Sequence, residues 1–509
     1  MDVNYKGFEW RDTARGSWVR DVDELETMYT ALAKLYSASG RGFFHMTGHL
    51  SLRVGVPEGQ SAASVGDKLD KALSQAWLAL RFRHPTIASQ VTLDPLTNKF
   101  VKEYALSSEG WLEKTFVRVS TGQTGAEWAI DDPPVPPLPT LNVVTPPSSD
   151  EGVVLRDLVF RSPHDIVDGV GALMLFDNYV RLAAEAFELG DAYESPSLQD
   201  PRLLENLSPP YRVAAAVPPE PSDFIKQRLE SLAEADKLAA STPAEMALLP
   251  YKKGALAPGV HKRIEIKLSP EETSELSAAC KALGATVTHV FHAAIALALR
   301  DLQPRTDSPR PVQYVGYLLR NERGRCVPPY HDHRHAAGVY HSISGDKLVV
   351  KMNVPSHTDV ASTGIAGEEE KEEFLRIVAQ MRDFYTTVRD DEQHYALAPH
   401  LIAKGIPELP AGGEQPTTIP PPSDTPSATI SSMGRIDGVI AHQHGSIEIY
   451  NPWVTGEELR NSLGLFLGTF RGELALSAAY NDAWHGYDET FGFVRSCLDI
   501  VRSGLGVGV

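Results

Sequence analysis

The sequence predicts a mixed α and β protein in which the same kinds of element occur twice along the chain. The 509 residues are 42% hydrophobic, which is enough for a large core divided into two to four units. A buried strand followed by a long helix stands near residues 151–189, and a strand followed by two helices stands at 263–302. The order lacks the regular βαβ repeat of a Rossmann-type sheet.

The first half of the chain shows both kinds of periodicity. Apolar residues from Leu25 to Tyr36 and from Leu69 to Leu80 recur at helical spacing, and each run predicts an amphipathic helix. The β-branched stretch Glu151 to Phe160 predicts a buried strand. After a short loop, Val170 to Leu189 predicts a long helix.

The second half opens on an alternating strand, Arg263 to Leu268, followed by the helix start Ser269-Pro270-Glu271-Glu272. A second helix is predicted from Thr286 to Leu302. Residues 406–427, rich in Pro, Gly, Ser and Thr, predict an exposed loop. The polar sequence Thr455-Gly456-Glu457-Glu458 predicts one more helix start. Prolines and turn residues between the halves predict three segments: an N-terminal unit (1–200), a crossover (201–260) and a C-terminal unit (261–509).

Composition limits the partners and the compartment. The net charge of −18 argues against nucleic acid or an anionic membrane as partner, since both would be repelled. The polar N-terminus carries no secretory pattern, and no apolar run has the length of a membrane span. Three cysteines, Cys280, Cys326 and Cys497, are far apart and fit a reducing compartment. We expect a cytoplasmic monomer without membrane contact.

The segment Ser162 to Gly169 carries the clearest chemical signal. It lies between the predicted buried strand and the long helix, where a loop presents its side chains at fixed positions. His164 could accept a proton from a substrate hydroxyl, because an imidazole titrates near neutral pH. Gly169 could allow the backbone to approach a ligand closely. From the residues alone, however, a lone histidine is more often a surface residue or a hydrogen-bonded structural residue than a catalytic one.

The pattern His164-x-x-x-Asp168-Gly169 resembles the HxxxDG motif of the CoA-dependent acyltransferase superfamily. That superfamily includes chloramphenicol acetyltransferase, plant BAHD acyltransferases, condensation domains and fungal trichothecene acetyltransferases. The motif's position and the chain length extend the likeness over most of the sequence, which is most similar to the trichothecene 15-O-acetyltransferase branch. Pro163 stands where most relatives have a second histidine, and the DFGWG motif of the plant branch is absent.

The resemblance implies a fold and a set of roles. It implies two similar lobes, each a mixed sheet flanked by helices, with a tunnel between them and His164 midway along it. Asp168 would turn away from the tunnel, at a sharp turn that Gly169 permits, and pair with an arginine. Arg320, at the end of the strand predicted from Val312 to Leu319, is the first candidate for that arginine, and Arg323 is the second.

A second segment, Thr429 to Gly434, resembles the S-N-x-G segment of several relatives, with Ser432 in place of the asparagine. The resemblance implies that Ser431 and Ser432 donate hydrogen bonds to the oxyanion of a tetrahedral intermediate. Two hydroxyls that bond to neighbouring backbone at a strand end would give the same sequence.

The predicted function is transfer of an acyl group, such as acetyl, from acyl-CoA to a hydroxyl of a small-molecule secondary metabolite such as a terpenoid. His164 is the predicted general base, and no metal is expected. His331, His333 and His335 suggest a metal site, but they follow two prolines and have no second ligand cluster. Two alternatives stay open: a condensation-type enzyme that uses a carrier-protein thioester, and a member that binds or cyclises a ligand without acyl transfer.

Overall fold

The computed structural model describes residues 5–13, 16–94, 97, 99–106, 109–148, 150–198, 200–241, 244–357, 367–409, 416–423 and 427–508. The loop predicted over residues 406–427 lies partly outside these ranges. The helices are α1 Glu24–Leu35, α2 Ala62–Arg83, α3 Trp111–Thr115, α4 Gly125–Ala129, α5 Gly169–Leu189, α6 Tyr211–Ala214, α7 Asp223–Ser241, α8 Pro270–Ala282, α9 Val287–Asp301, α10 Glu368–Asp390, α11 His394–Ala403 and α12 Tyr487–Leu505.

The strands that these helices accompany belong to five sheets. They are β1 Arg11–Asp12, β2 Ser17–Asp21, β3 Met46–Gly55, β4 Ser89–Asp94, β5 Lys99–Ala105, β6 Phe116–Val119, β7 Thr140–Val144, β8 Val153–Ser162, β9 His261–Leu268, β10 Arg310–Gly316, β11 Leu319–Asn321, β12 His341–Ile343, β13 Leu348–Val354, β14 Ala428–Arg435, β15 Gln443–His444, β16 Ile447–Gly456, β17 Leu463–Phe470 and β18 Glu473–Asn481.

The first lobe is built on a six-stranded mixed sheet in the order β15-β16-β3-β8-β7-β6. Helices α2 and α5 cover one face and bury Trp77 and Phe176 in its core. Two of the six strands come from the second half of the chain, since β16 pairs antiparallel with β3 from Ile447↔Val54 to Gly456↔Met46. This sheet therefore combines strands that are about 400 residues apart in sequence.

The second lobe is built on a four-stranded mixed sheet, β14-β17-β18-β9, in which β14 runs parallel to β17. Helices α8, α9 and α12 pack on it. Helix α9 is buried on every side from His289 to Arg300, because alanines at positions 293, 294, 296 and 298 allow close approach of neighbours. The predicted mixed fold with two helix-flanked lobes is confirmed.

Two helix starts that depend only on neighbouring residues form as the sequence predicts. Ser269 and Glu272 form the predicted capping box, and Thr286 caps α9. The helix start predicted at Thr455–Glu458 is wrong: Thr455 and Gly456 end strand β16, and the chain continues to β17 without a helix. The reason is a contact with a residue far away in sequence: the buried Glu457 carboxylate pairs with Arg161 of β8 instead of capping a helix.

The apolar segments of the chain are buried mainly in the hydrophobic cores of the two lobes. Among the described residues no single helix is long and apolar enough to cross a membrane, and α8 and α9 reach that length only as a pair bent by 91°. Cys280, Cys326 and Cys497 are free and buried. Burial raises the pKa of the Cys280 thiol to about 11 and of the Cys326 thiol to about 12, so both stay protonated and act as packing residues.

Candidate active site

The loop that carries His164 is held between a strand and a helix. Strand β8 ends at Ser162, and α5 begins at Gly169 with Asp168 as its N-cap. Asp168 has extended backbone angles (φ −95°, ψ 177°), and its Oδ1 accepts a hydrogen bond of 2.7 Å from the Gly171 amide. A cap of this kind satisfies one of the free amides of the first helical turn. The loop therefore has a fixed end only four residues after His164.

The Asp168 carboxylate faces Arg323 of the second half. Arg323 Nη1 donates to both carboxylate oxygens at 2.8 Å, and the Tyr340 amide donates to Oδ2 at 2.8 Å. Both ionic side chains are almost fully buried, with 3% and 4% of their side-chain surface exposed. Burial alone would raise the pKa of Asp168, but the Arg323 guanidinium lowers it, so the pair is ionised. Asp168 is thus a structural anchor of the loop rather than a partner of the His164 ring.

Arg320, the first candidate for this pairing, does not contact Asp168. Its Nε lies 3.1 Å from Glu322 Oε1, and its Nη1 donates to the Val388 carbonyl at 2.7 Å. The fully buried Glu322 forms an ion pair with Arg320. Arg323 lies in the 3₁₀ turn that follows, and its side chain reaches Asp168. The pairing predicted for Arg320 is therefore wrong, and the second candidate, Arg323, occupies that place.

Gly169 does not make the sharp turn expected of it. Its φ lies outside the left-handed region, and a Cβ there would make ordinary contacts at 3.4 Å with Val454 and 3.6 Å with Met433. Gly169 instead begins α5 and lines the cavity wall. The glycine that close packing requires is Gly171, where a Cβ would lie 2.3 Å from the Ala336 carbonyl oxygen and 2.7 Å from Arg323 Nη2. Sequence reasoning gave Gly171 no role.

The His164 ring is enclosed by two aromatic neighbours that the sequence did not indicate. Tyr29 of α1 stacks on it, with ring centroids 3.8 Å apart and an interplanar angle of 7°. The Tyr29 hydroxyl lies 2.9 Å from His341 Nε2, and the His341 ring centroid is 5.7 Å from that of His164. Burial, reinforced by His341, lowers the pKa of His164 to about 3. At neutral pH the imidazole is therefore uncharged, as a proton acceptor must be.

A buried ion network fixes the residue next to His164. Thr30 donates to the Asp165 carboxylate at 2.7 Å, and Lys102 Nζ donates to the Asp165 carbonyl and to Glu26, each at 2.5 Å. Glu26 also accepts two hydrogen bonds of 2.7 Å from Arg20. Burial opposes ionisation of Glu26, but Arg20 and Lys102 lower its pKa to about 2. The loop is therefore held on both sides of the His164 ring.

Ser431 and Ser432 lie on β14, and both line the same cavity as His164. Ser432 Oγ is 2.9 Å from Thr288 Oγ1 in the first turn of α9. The hydroxyl of Ser432 is thus oriented by a side-chain partner from the second lobe. Neither serine is hydrogen-bonded to His164 Nδ1, which has no hydrogen-bond partner in the described part of the chain.

The cavity lies between the lobes and has a volume of about 450 Å³, within the range of small-molecule sites. The first half of the chain contributes His164, Asp168 and Gly169, and the second half contributes Arg320 and the two serines. The rest of the wall is mostly apolar: Met28, Leu32, Phe43, Phe44, Met46, Val454, Leu465 and Phe466. This lining suits a largely hydrophobic ligand.

The histidine-rich segment lies apart from this cavity. His333 begins a 3₁₀ turn, and His335 is buried with Nδ1 3.3 Å from Ser208 Oγ. Among the described residues, no group of three His, Cys, Asp or Glu side chains could hold a metal ion.

We expect purified protein to contain no stoichiometric metal at His331, His333 and His335, because His335 is buried with its Nδ1 already 3.3 Å from Ser208 Oγ and no group of metal-ligating side chains converges there among the described residues. Elemental analysis of dialysed protein would measure this directly. Zinc approaching one equivalent per chain, lost on replacing His333 by alanine, would contradict it.

The fold, two helix-flanked lobes around a shared cavity, matches the folds of solved acetyltransferase and condensation-domain structures, so the predicted resemblance is confirmed. Among solved structures the chain is similar to TRI3 trichothecene 15-O-acetyltransferase from Fusarium sporotrichioides (TM-score 0.74, 18% identity, 98% of each chain). It is also similar to the first condensation domain of the calcium-dependent antibiotic synthetase (TM-score 0.58, 14% identity, 96% of this chain and 97% of that one).

Curated sequences point in the same direction. The chain is 22% identical over 521 residues to acetyltransferase pigO of Monascus ruber, with 98% of each protein covered. It is 24% identical over 488 residues to O-acetyltransferase pigM of Monascus ruber, with 94% of this chain and 84% of that protein covered. No protein-family model matches the chain.

Proposed function

We propose that the protein is an O-acyltransferase that moves an acetyl group from acetyl-CoA to a hydroxyl of a small-molecule secondary metabolite such as a terpenoid. The observation that carries the proposal is the buried, uncharged His164 in the wall of a mostly apolar cavity between the lobes. The acetyltransferases among the similar proteins support the same reaction class.

His164 acts as the general base. As the acceptor oxygen attacks the thioester carbonyl, the hydroxyl proton passes to the imidazole, and a tetrahedral intermediate with a negatively charged oxygen forms. Collapse of the intermediate expels the thiolate of CoA, which takes the proton back from the imidazolium. The low pKa of His164 favours this return, because the buried site stabilises a charged ring poorly.

Ser431 and Ser432 are the donors proposed for the intermediate's oxyanion. Both line the cavity, and the contact with Thr288 restricts how the Ser432 hydroxyl can point. A preorganised donor of this kind is worth roughly 3–4 kcal/mol in the transition state. The ion pair between Asp168 and Arg323 contributes indirectly, because it keeps the His164 loop in place without contacting the reacting groups.

The fold also fits a condensation-type enzyme, in which the acyl group arrives on a carrier protein. The likeness to a condensation domain over 96% of the chain supports this second candidate. Both candidate reactions would use His164, and they differ in the acyl donor. The experiment therefore has to vary the acyl donor.

The test is to incubate purified protein with acetyl-CoA and a panel of hydroxylated terpenoids and polyketides, following free thiol and product mass. We expect acceptor-dependent release of CoA together with an O-acetyl product. Omission of the acceptor controls for simple hydrolysis. Transfer from a carrier-bound thioester but from no acyl-CoA would replace the proposal with the condensation-type reaction, and transfer from neither donor would overturn both.

A further inference from the structure

The segment between β16 and β17, residues 457–462, contributes every second residue to the wall of the cavity. Gly456, Glu458, Arg460, Ser462 and Gly464 all line the cavity that contains His164. The residues between them, Glu457, Leu459 and Asn461, are buried. The segment therefore forms one wall of the cavity.

The residues on the other side fix this wall in place. Glu457 pairs with the buried Arg161, and its carbonyl accepts from the Phe44 amide at 2.9 Å. The Leu459 carbonyl accepts from Trp484 Nε1 at 2.8 Å. Asn461 exchanges hydrogen bonds with the backbone of Ser423, and its carbonyl lies 2.9 Å from His485 Nε2. Every second residue is thus anchored, which preorganises the side chains that face the cavity.

Two of the cavity-facing groups have unused hydrogen-bonding capacity. Glu458 is 8% exposed, and its Oε2 accepts from Ser462 Oγ at 3.2 Å, whereas Oε1 has no partner in the described part of the chain. Arg460 Nε is buried and likewise lacks a partner among described residues. A Cβ at Gly464 would lie 3.3 Å from Glu458 Oε1, so glycine leaves room beside that oxygen. Because both side chains line the cavity, a ligand bound there can complete their hydrogen bonding.

The sheet sets the distance between these groups and His164. Gly456 of β16 and Ser162 of β8 both pair with Met46, the first residue of β3. Strands β8 and β16 therefore end at the same edge of the sheet, on either side of β3. Neighbouring strands are about 4.8 Å apart, so the two chain ends are separated by about 10 Å. His164 and Glu458 each lie two residues beyond these ends.

We propose that Glu458 and Arg460 form a subsite for an oxygen function of the acceptor, remote from the hydroxyl that is acylated. This inference rests on the proposed function and adds to it a substrate class: neutral, mainly apolar acceptors that carry a second oxygen, a ketone or hydroxyl, on the far side of a ring system. Apolar residues such as Phe44 and Leu465 line the same cavity, and their surface suits a ring skeleton.

The protonation of Glu458 agrees with a neutral ligand. Burial raises the pKa of its carboxyl to about 7, although Ser462 and Arg460 act in the opposite direction. Near neutral pH the group therefore exists partly as a carboxylic acid, which donates to a ketone or accepts from a hydroxyl. An ammonium group on the ligand is disfavoured, because the Arg460 guanidinium carries a positive charge at the same place.

The experiment compares two acceptors, a decalin alcohol and a decalin hydroxyketone with its oxygens on opposite rings, with acetyl-CoA as donor. In Glu458→Leu we expect KM for the hydroxyketone to rise about tenfold, which is the effect of losing one to two hydrogen bonds, while KM for the alcohol stays the same. Glu458→Gln keeps a donor and an acceptor and should keep most of the preference. Glu275→Leu, at an exposed position on α8, is the matched control.

Equal changes for both acceptors in Glu458→Leu, or no change for either, would overturn the subsite. Melting temperatures of both Glu458 variants separate a folding defect from a loss of recognition. Titration calorimetry of the two compounds, without acetyl-CoA, separates this inference from the proposed function. If wild-type protein acetylates neither compound yet binds the hydroxyketone more tightly than Glu458→Leu does, the subsite stands without the reaction; if it binds neither, the subsite fails.

Discussion

Replacement of His164 by alanine is expected to lower acetyl transfer by roughly 10²- to 10⁴-fold, which is the usual contribution of general base catalysis. The ring is the proposed base, buried and uncharged in the cavity wall, and the nearby Asp168 carboxylate is bound to Arg323. Its Nδ1 has no hydrogen-bond partner there, so removal of the ring breaks no hydrogen bond at that atom. The fold should therefore persist.

The measurement is kcat with acetyl-CoA and a productive acceptor, together with the melting temperature. His331→Ala, at an exposed histidine of the same chain, should retain wild-type turnover and stability. If His164→Ala keeps more than a tenth of wild-type turnover, His164 is not the base. Loss of activity with an equally large loss of melting temperature would make the histidine structural.

Asp168→Asn is expected to lose both stability and activity. The buried carboxylate pairs with Arg323 through two hydrogen bonds, and breaking such a pair from one side costs about 3–5 kcal/mol because the remaining charge has no counter-ion. Asparagine also caps helices well, so the loss reports the ion pair rather than the cap. The carboxylate's lowered pKa makes this stabilisation complete above the pKa of an unfolded aspartate, and it is lost as the pH falls through the lower folded-state pKa.

Arg323→Ala should show the same double loss, and the Asp168→Asn, Arg323→Ala double variant should lose less than the sum of the two. Chemical denaturation gives the free energies of unfolding, and the acetyl-CoA assay gives the rates. Arg334→Ala removes an exposed arginine that pairs with Asp332 and should change neither quantity much. An unchanged melting temperature in Asp168→Asn would show that the ion pair does not anchor the loop.

The fold was predictable wherever a few neighbouring residues determine the backbone. The capping box Ser269–Glu272 and the β-branched strand before His164 were read correctly, since caps and strand propensities are local. Thr455–Glu458 has the composition of a cap and was misread, because the outcome depends on Arg161, almost 300 residues earlier. A one-dimensional pattern does not contain that contact.

In the candidate site, too, residues of a local motif were predictable, and residues brought together by packing were not. His164 and Asp168 were found because their spacing forms a motif, whereas Tyr29 and His341 were missed because they reach the ring from helix α1 and strand β12. The choice between Arg320 and Arg323 depended on which arginine the buried Glu322 would neutralise. No signal in the sequence ranks two arginines three positions apart, because their environments are set by packing.

The strand that crosses from the second half into the first sheet has a consequence for biosynthesis. Strand β3 has β8 on one side and can obtain its other neighbour only after Gly456 has been synthesised. Until then the ribosome-bound chain exposes an unpaired strand edge, with free backbone N–H and C=O groups that other chains could pair with, so aggregation competes with folding during most of translation. The two halves are accordingly not separable modules: a fragment that ends between residues 201 and 260 would keep the His164 loop but lack both Arg323 and the strand β16 that pairs with β3.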